Sequence, residues 1–529
     1  MPLCHRIEDT GIRPAIATAP VTVHGVQRKE FVETGILDWR EAGQAGISSS
    51  MVDKDVTISQ LVLQNDLLRS QVFALEQTNA QLQQEIRQLR ADNQKLQDQI
   101  ARLKRNSSNS SKPPSSDIVK PEKKGTSRGK RKRKIGGQKG HPRHERIPFA
   151  PDDIGPIVPY ELSPQQAQGL IPLDEWFVLQ QVDLVAKPYL VTEHRARKYQ
   201  DPRTGRIVIA PLPVAVKAAG LVGPKLSALA AYQKGDCHMS YSTIQRFWNE
   251  VLGIPISRSQ LVNVIQKASA AFETPHTELR EALVQEPYVG SDESGHKDGG
   301  LKHWAWCFRA ARFTVFHIDP SRSSDVLKAI LTETFGGVVG SDYFSAYHKY
   351  MADCGVLVQF CWAHLIRDIR FLAAQTDKSL AGWGEKLLRW IRKLFDTWHR
   401  AEQMTEAGFA RSMDRIRRGF LQAVRRPPMR GEARTLADRF RSQEADNYFR
   451  FLTMAGIEPT NNQTEQAIRH LVIDRHITQG TRGKRGQRWC ERVWTVIATC
   501  RQQGRRVFEF FCDALNAHFQ QETAPSLLR

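Results

Sequence analysis

The most regular pattern in the chain has a period of seven. Leucine recurs at 61, 68, 75, 82, 89, 96 and 103, and three residues before each stand Ile58, Asn65, Val72, Asn79, Ile86, Asn93 and Ile100. This spacing predicts a helix over 51–104 with a continuous apolar seam. β-Branched residues at the first seam position with leucine at the second favour a parallel two-stranded coiled coil, and asparagine at alternate turns fixes its register. A helix packed inside a single domain needs no such regularity over seven heptads. The seam therefore predicts a homodimer, or a higher oligomer built on one.

Elsewhere the pattern is more varied. Residues 1–50 show no sustained periodicity and are expected to be an unstructured extension. Residues 105–148 are rich in Ser, Pro, Gly and Lys with little apolar content, which predicts a disordered basic linker. From 149 to 281 the chain is expected to be globular and largely helical. Within it, 238–268 reads as helix, a turn at Gly253-Ile254-Pro255, and a second helix capped by Ser257 or Ser259 with Arg258 at its entry. That pattern fits a helix-turn-helix that reads DNA, and fits two ordinary packed helices as well.

After Glu286 the period shortens. "YVGSDES", "LKHWAWCFRAA" and "FTVFHID" are strand-like runs; "SRSSDVLKAILTETF" has helical spacing; "GVVGSDYFSAY" and "VLVQFCWAHLIRDIRFLAAQ" each pass from strand to helix. The order β-β-β-α-β-α-β-α predicts a mixed sheet flanked by helices. Residues 376–455 are helical in period, and 501–529 predict a C-terminal helix. The first twenty residues lack a continuous apolar stretch, so a secretory leader is not expected, and the apolar runs are expected to be too short to cross a bilayer.

Charge changes the picture. The 529 residues carry a net charge of +20, with a pI near 9.7. Between Lys104 and Arg146 fifteen basic residues face three acids, and between Thr460 and Arg506 ten face three. A polyanionic partner is expected rather than a membrane. Arg131, Lys132, Arg133 and Lys134 would give salt-dependent, sequence-independent affinity for DNA. A basic-zipper reading fails because Pro113, Pro114 and several glycines interrupt the basic segment. Eight cysteines without a Cys-x-x-Cys pair argue for reduced thiols in a cytoplasmic protein and against a four-ligand zinc site.

Two predicted strands end in the same tetrapeptide, Val289-Gly290-Ser291-Asp292 and Val339-Gly340-Ser341-Asp342. Side by side, they would bring two carboxylates close enough to need a cation, and oxygen donors suit Mg²⁺ or Mn²⁺. A third acid from a helix would complete a two-ion site for phosphoryl transfer. Glu465, in "EPTNNQTEQAIRHLVI", is the candidate; its local alternative is the third residue of a capping box begun by Asn462. Glu491 stands next in line.

The motifs in this order, a zipper followed by "NSSKPPSSD", then "GGQKGH", "SDES", "SDYFSAY", "CWAHLIRD" and "PTNNQTEQAIR", resemble the insertion sequence 66 family of bacterial transposases over about residues 55–520. The resemblance implies a multidomain α+β protein: an N-terminal coiled coil, a DNA-binding region, and an RNase H-like α/β catalytic domain over 282–375 plus 456–500, with 376–455 as its helical insertion. It implies that Asp292, Asp342 and Glu465 form a DDE triad holding two Mg²⁺ or Mn²⁺ ions for strand cleavage and transfer. The partners implied are double-stranded DNA, both element ends and target, and accessory proteins of the same element, in the bacterial nucleoid. A nuclease of the same fold and a DNA-binding regulator are the alternatives.

Cys361 and His364 match a Cys/His motif of several DDE groups. They are incomplete as zinc ligands, so no zinc is expected; His364 would position a phosphate or a helix, or both residues are structural. Arg469, Arg475, Arg482, Lys484, Arg485 and Arg488 of the second basic cluster are candidate phosphate contacts, with a solvated surface charge as the alternative for each, and Asn461 is a candidate DNA contact or a helix cap. Many relatives carry paired cysteines after "GGQKGH", whereas this chain has none between Cys4 and Cys237, so that zinc module cannot form here.

Overall fold

The computed structural model describes residues 51–103 and 148–528, apart from 156, 175, 186 and 442. The expected extension 1–50 and nearly all of the basic linker, with Arg131, Lys132, Arg133 and Lys134, lie outside the described residues.

Helix α1 (Met51–Leu103) is continuous, as the heptads require. In the single chain its seam is open: the leucines from 61 to 96 are between 52 and 69% exposed, and Val72, Ile86 and Ile100 about half. Asn79 and Asn93 accept hydrogen bonds from Gln83 and Gln97 one turn on.

The second compact unit runs from Ala101 to Arg529. Its first stretch departs from expectation. Residues 148–213 form no packed layer: a single turn at Pro151–Asp153 and a small hairpin, β1 (Lys198–Gln200) with β2 (Ile207–Ile209), are the only regular structure described there. Ile157, Tyr160, Ile171, Phe177 and Leu190 are all more than 80% exposed. Ten prolines between 148 and 213 explain the failure, since each removes a backbone donor and disfavours helix in the residue before it.

The helical part opens with α2 (Val214–Ala219) and α3 (Pro224–Gly235). By length and composition Val214–Gly235 is apolar enough to cross a bilayer, contrary to the reading that no such run exists. The fold breaks it at Gly220, which takes φ +69°, and much of α3 is buried. Next come α4 (Tyr241–Phe247), a wide turn at Trp248–Leu252, left-handed Gly253, and α5 (Arg258–Ala271). Ser257 closes a full capping box with Gln260 at the start of α5. Leu261, Val264, Ile265 and Ala268 on α5 are buried, and Arg258 is exposed. Helix α6 (Glu273–Ala282) leads into the sheet.

The sheet has five strands: β3 (Tyr288–Asp298), β4 (Leu301–Arg309), β5 (Thr314–Asp319), β6 (Val338–Ser341) and β7 (Leu357–Phe360). Their order is β5-β4-β3-β6-β7, antiparallel from β3 to β5 and parallel from β3 through β6 to β7. Helices α7 (Ser324–Leu331), α8 (Ser345–Cys354) and α9 (Trp362–Ala373) follow β5, β6 and β7, in the order the periodicity predicts. Then α10 (Lys378–Trp398), α11 (Glu406–Val424) and α12 (Gly431–Asp438) occupy the expected helical insertion. The chain returns through α13 (Asn462–Thr478), α14 (Lys484–Gln502) and α15 (Val507–Gln520).

Helices α13 and α14 cover one face of the sheet. Trp494 of α14 is fully buried edge-on to Phe316 of β5, and its indole N–H donates to Asp474 on α13. Truncating such a residue to alanine costs about 3–5 kcal/mol. Tyr347 of α8, on the opposite face, lies edge-on to Trp306 of β4.

Candidate active site

The two Val-Gly-Ser-Asp repeats lie side by side. β3 and β6 pair in parallel with Val289 opposite Val339 and Gly290 opposite Gly340, so Asp292 and Asp342 occupy matching positions two residues on. One expectation needs correcting. Asp342 does follow the last residue of its strand, but β3 continues to Asp298, so Asp292 is a mid-strand residue paired with Cys307 of β4.

Both glycines of the repeats are there for lack of a side chain. A Cβ on Gly340 would collide with the Tyr288 ring, and one on Gly290 with Thr464 Oγ1 and, at 3.1 Å, Asn461 Oδ1. Gly290 thereby lets the first turn of α13 rest directly on β3. Asn461 pins it there. Its amide donates to the Ser291 carbonyl at 2.8 Å, its backbone N–H donates to Cys361 Sγ at 3.1 Å, and Cys361 N–H donates in turn to the Ser341 carbonyl at 2.8 Å. Three segments far apart in sequence thus meet at one point, with Glu465 one turn into α13.

The helix starts one residue earlier than its sequence suggests. Asn461, not Asn462, is the N-cap, and no side-chain cap is made. The capping-box alternative for Glu465 therefore falls. Its carboxylate instead accepts from Arg367 of α9 at 3.2 Å, with His364 Nδ1 at 3.6 Å.

The acids repel one another. Burial, then the charges of Glu293, Asp342 and Glu465, hold the Asp292 carboxyl well above the usual range. Burial and Glu293 push Asp342 up to about 7, against a lowering by Arg322. Each accepts one backbone N–H, from Glu293 at 2.9 Å and from Phe344 at 3.1 Å. Among the described residues neither has an ion-pair partner, because the nearby cations are taken. Arg322 is bound to Glu293, whose other oxygen accepts from Tyr347 at 2.8 Å, and Arg367 is bound to Glu465. Two carboxylates left without a countercharge are suited to hard divalent cations, so the donor set fits Mg²⁺ or Mn²⁺.

Glu293, Arg322, Tyr347 and Arg367 escaped the sequence reading as site residues. Glu293 had a signal, since it follows Asp292 in "SDES" and alternation sends it to the opposite face. Arg322 and Tyr347 meet it only through the fold.

Other candidates are placed differently from expectation. Asn461 is 3% exposed and its amide donates to the Ser291 carbonyl, so in this fold it holds α13 on β3. Arg475 is half-buried and donates to Ser294 Oγ at 3.0 Å and to the Gly295 carbonyl, which ties α13 to β3 rather than to phosphate. Glu491 accepts from Ile318 N–H at 2.7 Å and pairs with His317 at 3.0 Å, and these partners hold its carboxyl below the usual range. It is no substitute third acid.

Arg469, Arg482, Lys484, Arg485 and Arg488 are exposed. The loop bearing Arg482 is fastened to the far end of β3. Thr481 N–H donates to the Lys297 carbonyl at 2.8 Å, and the Asp298 carboxylate accepts from Thr481 Oγ1 at 2.7 Å and Gly483 N–H at 2.6 Å. Left-handed Gly480 and Gly483 (φ +96° and +117°) permit the turn, and a Cβ on Gly480 would strike the Lys297 carbonyl. Six strand residues, roughly 20 Å at 3.3 Å each, separate this basic loop from Asp292.

A family model described as "Transposase IS66 family" matches residues 219–488, just over half of the chain. A second, described as a family of unknown function (DUF6444), matches residues 67–147. A search of curated proteins returns no match.

Proposed function

The chain belongs to the transposase IS66 family, and on that premise we propose that it cuts DNA at the ends of an insertion sequence and joins the freed 3′ ends to a target. The single observation that carries this reading is the placement of Asp292 beside Asp342 on paired strands, two part-buried carboxyls with raised proton affinity and no countercharge of their own. The sheet order, three antiparallel strands followed by two parallel ones, supports an RNase H-like domain interrupted by the helices of 376–455.

Asp292 and Asp342 would hold Mg²⁺ or Mn²⁺, with Glu465 as the third acid. When bound, such ions supply Lewis acidity and lower the pKa of water or of a 3′-hydroxyl. In cleavage, water oxygen bonds to phosphorus, the P–O3′ bond breaks, and the oxygen leaves as a 3′-hydroxyl. In joining, that hydroxyl attacks a target phosphodiester in the same way. Glu293, locked by Arg322 and Tyr347, adds negative charge beside the pair from the opposite face. Arg367 donates to Glu465 and offsets its charge. Arg469, Arg482, Lys484, Arg485 and Arg488 would bind phosphates, and Arg258 at the start of α5 a second DNA segment. The open seam of α1 would pair two chains, and the setting is the bacterial cytoplasm.

The test is Glu465→Gln, assayed for Mg²⁺- or Mn²⁺-dependent nicking and strand transfer on DNA from both flanks of the gene. Loss of about 100-fold or more is expected, because an ion clamp is worth several kcal/mol. Equal cutting by both proteins removes Glu465 from the site. Cutting without joining points to a nuclease, and binding without cutting to a regulator.

A further inference from the structure

We propose that Cys361, His364 and Glu465 form a second kind of metal site, for a zinc-like divalent cation, and that filling it holds Glu465 away from the Asp292–Asp342 pair. The second half rests on the function proposed above; the first does not.

The sequence alone offers two ligands, and the fold supplies the third. Cys361 is the N-cap residue of α9 and His364 lies one turn on, so both side chains share a face. Glu465 arrives from the first turn of α13. One donor atom from each, a sulfur, a ring nitrogen and a carboxylate oxygen, lies within 4.8 Å of the others, and His364 Nδ1 is 3.6 Å from Glu465 Oε1. Tetrahedral zinc with bonds of 2.0–2.3 Å places its donors about 3.5 Å apart. The set needs to contract by at most about 1.3 Å to close on an ion.

Three further observations point to a ligand. His364 Nδ1 is buried and has no hydrogen-bond partner among the described residues, which a folded chain rarely tolerates. Cys361 Sγ receives the Asn461 N–H at 3.1 Å together with the N–H groups of Ala363 and His364, so three donors converge on the sulfur that would face the ion. Arg367 already donates to Glu465 Oε1 at 3.2 Å, the outer hydrogen bond a ligating carboxylate usually has. Thiolate, imidazole and carboxylate select zinc over magnesium, whereas the all-oxygen aspartate pair has the opposite preference. On binding, the Cys361 thiol proton passes to solvent. One thiolate and one carboxylate then balance the ion, and a fourth position is left for water.

Because Glu465 belongs to both sets, zinc at Cys361 and His364 competes with magnesium at the aspartates for one side chain. Zinc is then an inhibitor that acts beside the reacting centre.

The experiment uses the chelator-treated full chain. Cobalt(II) is titrated as a probe for sulfur-to-metal charge-transfer absorption, and zinc affinity is measured by competition with a chromophoric chelator. Wild type should bind one equivalent with a thiolate band. Cys361→Ser should lose the band, and His364→Gln should weaken zinc at least 100-fold, with circular dichroism confirming that both fold. The double variant Asp292→Asn/Asp342→Asn should keep band and affinity. The site is overturned if wild type shows no band, if both Cys361 and His364 variants retain zinc, or if zinc is lost with the aspartates. One equivalent of zinc should suppress magnesium-dependent nicking by wild type and leave the rate of Cys361→Ser as it was without zinc. Nicking by wild type that is indifferent to zinc overturns the inhibition. Absence of nicking in magnesium overturns the function itself, while the cobalt band still reports on the site.

Discussion

Two part-buried acidic positions at one sheet are treated in opposite ways. At the β5 edge, Glu491 of α14 is enclosed but satisfied: Ile318 N–H and His317 hold its carboxylate, and its proton affinity falls. At the junction of β3 and β6, Asp292 and Asp342 are enclosed with each other, Glu293 and Glu465, and their proton affinity rises. Burial opposes charge in both places. What differs is whether the protein supplies the compensating groups. Where it does, the acid fastens a helix to a strand. Where it withholds them, the fold carries an electrostatic cost that a cation would relieve, and the catalytic role proposed for the pair rests on that cost.

The widest separation between the two should appear in activity. Asp342→Asn is expected to reduce metal-dependent nicking at least about 100-fold, while Glu491→Gln should nick normally at temperatures where it is folded. Comparable losses in both would erase the distinction.

Stability sharpens the contrast. Glu491→Gln weakens charge-assisted hydrogen bonds to Ile318 and His317 and should cost about 1.5–3 kcal/mol. The pH windows should run in opposite directions in chelator-treated protein. The Asp342 carboxyl sits at about 7 in the fold against an ordinary 3.8. Between about pH 4 and 7 the folded chain holds a proton that the unfolded chain has released, so stability falls as pH rises through that range. The Glu491 carboxyl is held below its ordinary 4.5, so its contribution is present above that value and is lost as pH falls through its folded pKa. Melting curves from about pH 2 to 8 should show Asp342→Asn losing the alkaline-side decline and Glu491→Gln losing the acid-side one. Curves that stay parallel to wild type would sink this account.

The smallest effect belongs to a region that should touch neither titration. Arg482→Ala, in the loop that Asp298 holds against β3, and Arg485→Ala, in the first turn of α14, should each weaken DNA binding a few-fold. Each should lower the slope of log affinity against log salt by about 0.9. Unchanged slopes would place the DNA track elsewhere.

How much of this was legible varies with the range of the interaction responsible. Helix α1 follows from a seven-residue period, and the strand and helix order after Glu286 from local alternation and spacing. The repeated Val-Gly-Ser-Asp pointed to adjacent strands because two matching patterns that bury the same face tend to pair in register. Local reasoning failed where a local rule had a distant competitor. Asn462 reads as a helix cap, yet Ser291 and Cys361 engage Asn461 and move the helix start. Arg475 reads as a phosphate contact, yet Ser294 and Gly295 occupy it. Residues 149–213 look apolar enough to fold, yet their prolines deny them the hydrogen bonds a layer needs.

The sequence by itself determined the elements, the positive field and the candidate acids, because periodicity, charge and turn chemistry act between residues close in the chain. Only the tertiary structure decided which acids are compensated and which are not. A carboxyl's proton affinity depends on what lies within a few ångströms in space, and around Glu465 those neighbours, Arg367 and His364, come from a helix nearly a hundred residues earlier in the chain.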